Sequence, residues 1–119
     1  MAQLQWLTHN DRRVLLLDFS QHSEKRIEEI VREVQQVITA QSPGSVLVLA
    51  DFTGVTFSTE TLKQIAQAAA ADRRYVARTA WVGAESLTAI RFNWLQDASG
   101  REIHRFTTRE EALAFLTAH

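Results

Sequence analysis

The sequence contains no cysteine, one proline and four glycines among its 119 residues. Without cysteine there is no disulfide, no thiolate metal ligand and no cysteine nucleophile. The glycines are isolated, so neither the GxGxxG nor the GxxxxGK[ST] phosphate loop occurs, and there is no GxSxG nucleophile elbow. The four histidines do not have the spacing of a metal-binding motif such as HExxH. These absences predict a protein that is not an enzyme and that needs no cofactor.

Neither sign of charge predominates, because 13 basic and 14 acidic residues leave a net charge of −1. Nucleic-acid-binding surfaces carry clustered basic charge, so we expect no nucleic-acid partner. No apolar run approaches the ~18 residues that a membrane span needs, and the first residues do not have the basic-then-apolar pattern of a signal peptide. We therefore expect a cytoplasmic protein of bacterial type without integral membrane contact.

The apolar residues that are present follow the periods of strands and helices. Five short segments have the alternating or continuous apolar pattern of strands: residues 3–6, 14–17, 45–50, 78–82 and 101–106. Four segments have helical spacing, one of them over residues 23–40, and they carry Ile27 and Ile30, Leu62 and Ile65, Leu87 and Leu95, and Leu113 and Leu116. A polar tip at residues 8–12 joins the first two strands into a hairpin.

The resulting order is β-β-α-β-α-β-α-β-α, which predicts one α/β domain over residues 1–119. Alternating strands and helices favour a mostly parallel five-stranded sheet with helices packed on it, the first strand forming an antiparallel edge. In the third helix we expect Leu87, Ile90, Trp94 and Leu95 to face the core. Phe92 lies off that stripe, which suggests an exposed apolar surface, either a pocket or a homodimer face.

Polar residues follow the second and third predicted strands, where open α/β sheets bind ligands. Asp18 and Asp51 end these strands, and Thr53 and Gly54 come directly after the latter. Paired carboxylates are able to hold a metal ion or to act as acid and base. A phosphoacceptor site would also use such a pair, but it needs a lysine after a later strand, and both lysines lie on predicted helices. The favoured interpretation is that each aspartate accepts hydrogen bonds from the turn that follows it.

The segment VLVLADFTGVTFS, residues 46–58, resembles the strand and loop of the STAS family, the SpoIIAA-like anti-sigma-factor antagonist domains. In that family a buried strand ends in Asp-Leu-Ser-Gly-Val, and here Asp51, Phe52, Thr53, Gly54 and Val55 match it. The segment Thr-Arg-Glu-Glu-Ala at residues 108–112 is similar to the start of the last helix in small stand-alone members. The whole element order is compatible with that family, so the resemblance extends over essentially all of the chain and implies a STAS/SpoIIAA-like fold.

The resemblance also implies a regulatory site at the start of the second helix. Regulatory members have an Asp-Ser pair there, and a partner kinase phosphorylates the serine. This chain has Ser58, Thr59 and Glu60 instead, without the aspartate. A phosphate at a helix N-terminus is favourable, so Ser58 or Thr59 remains a candidate for modification. The simpler role of these residues is to cap the helix.

Three functional hypotheses follow. The first is a non-catalytic regulatory or protein-interaction module of STAS type, with an unidentified protein partner and a contact region at Asp51, Thr53, Gly54, Ser58, Thr59 and Glu60. The second is a carrier of a small apolar ligand or lipid, because SpoIIAA-like domains resemble the CRAL-TRIO domains in fold. The third, least favoured, is a metal-dependent enzyme that uses Asp18 and Asp51.

Overall fold

The computed structural model describes residues 4–20 and 23–118. Over these residues the chain forms an α/β fold of five strands and four α-helices, as the sequence predicts. The strands are β1 (Leu4–His9), β2 (Arg12–Asp18), β3 (Val46–Asp51), β4 (Val76–Val82) and β5 (Ile103–Phe106). The helices are α1 (Glu24–Thr39), α2 (Thr59–Asp72), α3 (Ala89–Ser99) and α4 (Arg109–Leu116), and a 3₁₀ turn (Arg73–Tyr75) joins α2 to β4.

The strands form one sheet in the order β1-β2-β3-β4-β5. The β1–β2 pair is antiparallel and the other three pairs are parallel, which confirms the predicted sheet with its antiparallel edge. The hairpin turn is tighter than predicted. Only Asn10 and Asp11 lie between the strands, both with positive φ, because such turns match the right-handed twist of the paired strands.

Helices cover both faces of the sheet, but unequally. Each parallel strand lies beside its predecessor, so right-handed crossovers place α1, α2 and α3 on the same face. That face holds the larger core, in which Ile27, Ile30 and Ile38 of α1 pack with β-strand residues such as Val48. The opposite face holds a smaller core beneath α4. No helix in the described ranges, 4–20 and 23–118, is long and apolar enough to cross a membrane.

Side-chain oxygens cap the N-termini of all four helices, which explains where each one begins. Ser23, Ser58, Thr88 and Thr108 each accept a hydrogen bond from the backbone N–H three residues ahead. At α4 the Thr108 hydroxyl also donates to the Glu111 carboxylate.

The third helix is oriented differently from the prediction. Its N-cap is Thr88, so Leu87 precedes the helix, and the inward face consists of Phe92, Leu95 and Ser99. Ile90 and Trp94, which we expected in the core, are 83% and 43% exposed, whereas Phe92 is buried. Leu87 and Leu95 are buried in the core as expected. The stripe was wrong at Ile90 and Trp94, because Leu87, outside the helix, was counted as its first inward residue. Trp81 of β4 is buried in the larger core.

Candidate functional site

The carboxyl ends of β2 and β3 bring Asp18 and Asp51 side by side, since these two residues are paired in the parallel register. Asp51 Oδ1 accepts hydrogen bonds from the backbone N–H of Thr53 at 2.9 Å and from its hydroxyl at 2.6 Å. Asp18 Oδ1 accepts the same two bonds from the backbone and hydroxyl of Ser20, at 3.0 and 2.5 Å. Each aspartate therefore fixes the turn that follows its strand, which is the favoured interpretation of the sequence.

Arg109, the first residue of α4, occupies the space between the two carboxylates. Its Nε and Nη2 both lie 2.8 Å from Asp51 Oδ2, a two-pronged ion pair, and Nη2 is 3.7 Å from Asp18 Oδ2. We name Asp18, Asp51 and Arg109 the carboxylate–arginine cluster. Since both oxygens of Asp51 are already bonded, the cluster mainly anchors α4 to the edge of the sheet. Within the described residues no three His, Cys, Asp or Glu side chains are grouped to hold a metal ion.

Electrostatics at Asp51 follow from these contacts. Burial by itself would raise the pKa of the Asp51 carboxyl, but the hydrogen bonds from Thr53 and Arg109 favour the charged form more strongly. The pKa of Asp51 therefore lies below its ordinary value of 3.8. The ionised cluster stabilises the fold above that value, and this contribution is lost as the pH falls through the lowered pKa.

Replacing Arg109 by methionine tests this role. We expect the free energy of unfolding at neutral pH to fall by about 1–3 kcal/mol. The nearly buried Asp51 carboxylate would lose its charged partner, and water can replace only part of that interaction. The pKa of Asp51, followed by NMR titration of its carboxyl carbon, should rise. The matched control is Arg26→Met, which removes a partly exposed pair with Glu29 and should cost under about 0.5 kcal/mol. Equal losses in the two variants would contradict the structural role of Arg109.

The remaining predicted site residues lie along the loop after β3 and at the start of α2. Thr53 and Gly54 are exposed, and Gly54 has a φ of 76°. Ser58 is the N-cap of α2: its oxygen accepts from the Thr61 N–H at 3.1 Å and its hydroxyl lies 3.0 Å from Thr61 Oγ1. Thr59 and Glu60 are exposed in the first turn of that helix. The six predicted residues therefore form two groups, Asp51 with Thr53 and Gly54 at the sheet edge and Ser58–Glu60 at the helix start.

A groove lies beside the second group, between the start of α2 and the outer side of α3. Its volume is about 350 Å³, and we name it the α2–α3 groove; it is lined by Thr59, Leu62, Lys63, Ile90, Arg91 and Trp94. Arg91 donates from Nη1 to the Phe57 carbonyl at 3.0 Å, which holds its guanidinium next to the helix cap. Ile90 and Trp94 are the two large apolar side chains left exposed in the described part of the chain.

Sequence reasoning missed Arg109, Arg91 and Lys63 as members of these surfaces. Arg109 is in the TREEA segment, but its partner Asp51 is 58 residues away, and no local pattern links the two. The exposed pair Ile90 and Trp94 would have been found by starting the helical period at Thr88, a recognisable capping residue.

The fold and these surfaces define an α/β domain with a five-stranded, mostly parallel sheet. Comparisons with protein-family models, with curated proteins and with solved structures found no match to this chain.

Proposed function

We propose that this protein is a regulatory protein-interaction module of STAS type that binds its partner at the α2–α3 groove. The observation that carries the proposal is the exposed pair Ile90 and Trp94, in a groove that also contains Thr59. Large exposed apolar side chains are characteristic of binding surfaces, and tryptophan is enriched among residues that dominate binding energy. The STAS resemblance implies a regulatory contact at the same helix start, so two separate arguments indicate one surface.

Charge indicates the chemistry of the partner. Lys63 and Arg91 line the groove, whereas no carboxylate of the described residues does. A protein segment that places an apolar side chain against Ile90 and Trp94, with a carboxylate near Lys63 and Arg91, would complement the groove in shape and sign. We therefore propose an acidic segment with an apolar anchor as the partner's contact element.

The regulatory part of the proposal concerns Thr59 rather than Ser58. The Ser58 hydroxyl is bonded within the helix cap, whereas Thr59 is exposed and lines the groove. A phosphate on Thr59 would lie at the N-terminus of α2 beside Lys63 and Arg91, where it is electrostatically favoured. It would compete with the partner's carboxylate for these two cations. Modification of Thr59 therefore serves as an off-switch.

The experiment is affinity capture from cell extract with quantitative mass spectrometry, followed by photo-crosslinking from position 94. Ile90→Ser with Trp94→Ser should reduce the captured partner at least about tenfold, the effect of losing one tryptophan anchor. The matched control is Asn93→Ser with Ala98→Ser, two exposed positions on the same helix that lie outside the groove lining. A partner retained equally by both double variants would refute the groove as the binding surface.

Two further variants test the proposed switch at Thr59 separately from binding at the α2–α3 groove. Thr59→Glu should weaken capture, whereas Ser58→Ala should leave capture unchanged and reduce stability by about 1 kcal/mol through loss of the cap. Capture that is identical for wild type and Thr59→Glu rules out the switch while leaving the docking surface in place. A homodimer in sedimentation that dissociates in the Ile90 and Trp94 variant would identify the partner as a second copy of this chain.

A further inference from the structure

A pocket lies at the edge of the sheet where the parallel strands begin, opposite the carboxylate–arginine cluster. β4 has seven residues and β5 has four, and β5 begins opposite Thr79. In the described sheet, residues 76–78 of β4 therefore have a strand neighbour on the β3 side alone. The space beside them is an open pocket of about 650 Å³, a size that accommodates a small organic molecule.

Three arginines line this pocket, Arg73, Arg78 and Arg101, and we name it the three-arginine pocket. None of the three has a carboxylate oxygen of the described residues within 4.0 Å. Glu102 also lines the pocket, but its side chain is 82% exposed and its Oε1 lies 3.3 Å from His104 Nε2. The pocket therefore concentrates positive charge that no carboxylate pairs directly, and this favours the binding of an anion.

Two of the guanidinium groups are placed at the pocket wall by their own contacts. Arg78 Nη1 donates to the carbonyl oxygens of Phe115 at 2.9 Å and of Ala118 at 3.0 Å, and both of these residues line the pocket. These bonds leave Nε and Nη2 of Arg78 without a hydrogen-bond partner in the described part of the chain. Arg73 is exposed, and its Nη1 lies against Gly100, another lining residue. Both arginines can therefore donate to a ligand in the pocket.

Arg101 adds charge from a more buried position. Its guanidinium bonds to the Thr79 hydroxyl, and burial lowers the pKa of Arg101 to about 10, a shift that the Asp72 charge opposes. Arg101 is therefore still protonated at neutral pH. Because a charge that is partly removed from water is costly without a nearby counter-charge, an anion in the pocket would stabilise it.

The remaining wall indicates what kind of anion fits. Guanidinium groups match the oxygens of phosphate in geometry, and a phosphate monoester carries nearly two negative charges at neutral pH. The Phe115 ring, whose centroid is 5.6 Å from Arg78 Cζ, and the half-buried Val76 add an apolar wall beside this charge. That wall would contact the carbon part of an ester, whereas inorganic phosphate would leave it in water.

We propose that the three-arginine pocket binds a small organic phosphate monoester, with the phosphate held by the arginines and the carbon part packed on Phe115. This site goes beyond the proposed partner-binding function and does not depend on it. The pocket and the α2–α3 groove have no lining residue in common, so either proposal can fail in its own test without the other.

The test is an NMR titration of the full chain with three probes at constant ionic strength. Phenyl phosphate should bind saturably and shift the amide signals of Ala77 and Gly100, which line the pocket. Phenyl sulfate, of similar shape but with one negative charge fewer, should bind roughly tenfold more weakly, the effect of about one hydrogen bond to a charged group. Inorganic phosphate should also bind roughly tenfold more weakly, because it has no ring to bury.

Two pairs of variants locate the site. Arg73→Gln should weaken the binding of phenyl phosphate roughly tenfold. Arg74→Gln removes the same charge from the same 3₁₀ turn but outside the lining, and should leave the affinity nearly unchanged. Ala77→Glu, which keeps every arginine, should abolish binding, whereas the uncharged Ala77→Gln should retain most of it.

Equal losses in Arg73→Gln and Arg74→Gln would show a general attraction of anions to basic surface, and full binding by Ala77→Glu would place the ligand elsewhere. Either result would overturn the proposal. Equal affinities for phenyl phosphate and phenyl sulfate would overturn the phosphate ester as the ligand. Absence of saturable shifts from phenyl phosphate in the wild-type protein would overturn the whole proposal, whether or not the variants fold.

Discussion

Replacing Phe52 by alanine should lower the free energy of unfolding by about 3–5 kcal/mol. Phe52 is 1% exposed and joins the two parts of an aromatic cluster on the larger core face. Its ring is stacked on Phe19 at 4.7 Å with an interplanar angle of 2°, and it lies 5.2 Å from Phe57 and 4.4 Å from Trp81. Alanine would remove all three ring contacts and leave a cavity that the surrounding backbone cannot easily fill.

The measurement is urea unfolding followed by tryptophan fluorescence, with Phe52→Leu as the control. Leucine keeps much of the volume, so its loss should remain under about 1.5 kcal/mol beyond the missing ring interactions. A loss of that small size for Phe52→Ala as well would mean that neighbouring side chains collapse into the space, and that the aromatic cluster is not rigid. Because Phe52 lies between Asp51 and Thr53, this residue also couples the core to the turn at the sheet edge.

Replacing Gly83 by alanine should be the second most damaging change, at about 2–4 kcal/mol. Gly83 follows β4 with a φ of 74°, a conformation that favours glycine. A Cβ atom there would lie 2.8 Å from both Cα and N of Thr53, and closer still to its hydroxyl. Thr53 cannot move away at low cost, because Asp51 holds both its backbone N–H and its hydroxyl.

Gly44→Ala is the matched control for this prediction. Gly44 has nearly the same φ, 68°, but a Cβ there would meet no atom within 4 Å. This variant carries only the conformational cost, about 1 kcal/mol, so the difference between the two isolates the contact with Thr53. Similar losses at both positions would show that the loop after β3 yields to the added methyl group. Chemical shifts of Thr53 in the folded Gly83 variant would locate that movement.

The carboxylate–arginine cluster shows which parts of a site can be predicted from the sequence alone. That Asp18 and Asp51 end neighbouring strands was predictable, because continuous apolar runs mark buried strands and parallel strands end at the same sheet edge. The ion pair with Arg109 was not, because it depends on where α4 packs against the opposite face of the sheet. The turn hydrogen bonds of the two aspartates were expected, whereas the charged partner that both carboxylates face was not.

The third helix shows a different limit. Its existence and approximate length follow from spacing, but its orientation changes with the residue at which it begins. Each residue turns the helix by about 100°, so counting from Leu87 instead of Thr88 places Ile90 and Trp94 inward. The α2–α3 groove was not predicted for that reason, although the predicted contact region at Ser58, Thr59 and Glu60 includes one of its lining residues, Thr59.

The element order, the sheet class, the cap of α2 and the ends of the buried strands all follow from the sequence without a structure. These features depend on periodicity and on residues within four positions of one another, which any single sequence displays. The partner of Asp51 and the exposure of Ile90 and Trp94 depend on the tertiary structure. Both features result from the packing of segments that are distant along the chain, where a small rotation of a helix changes which side chains meet.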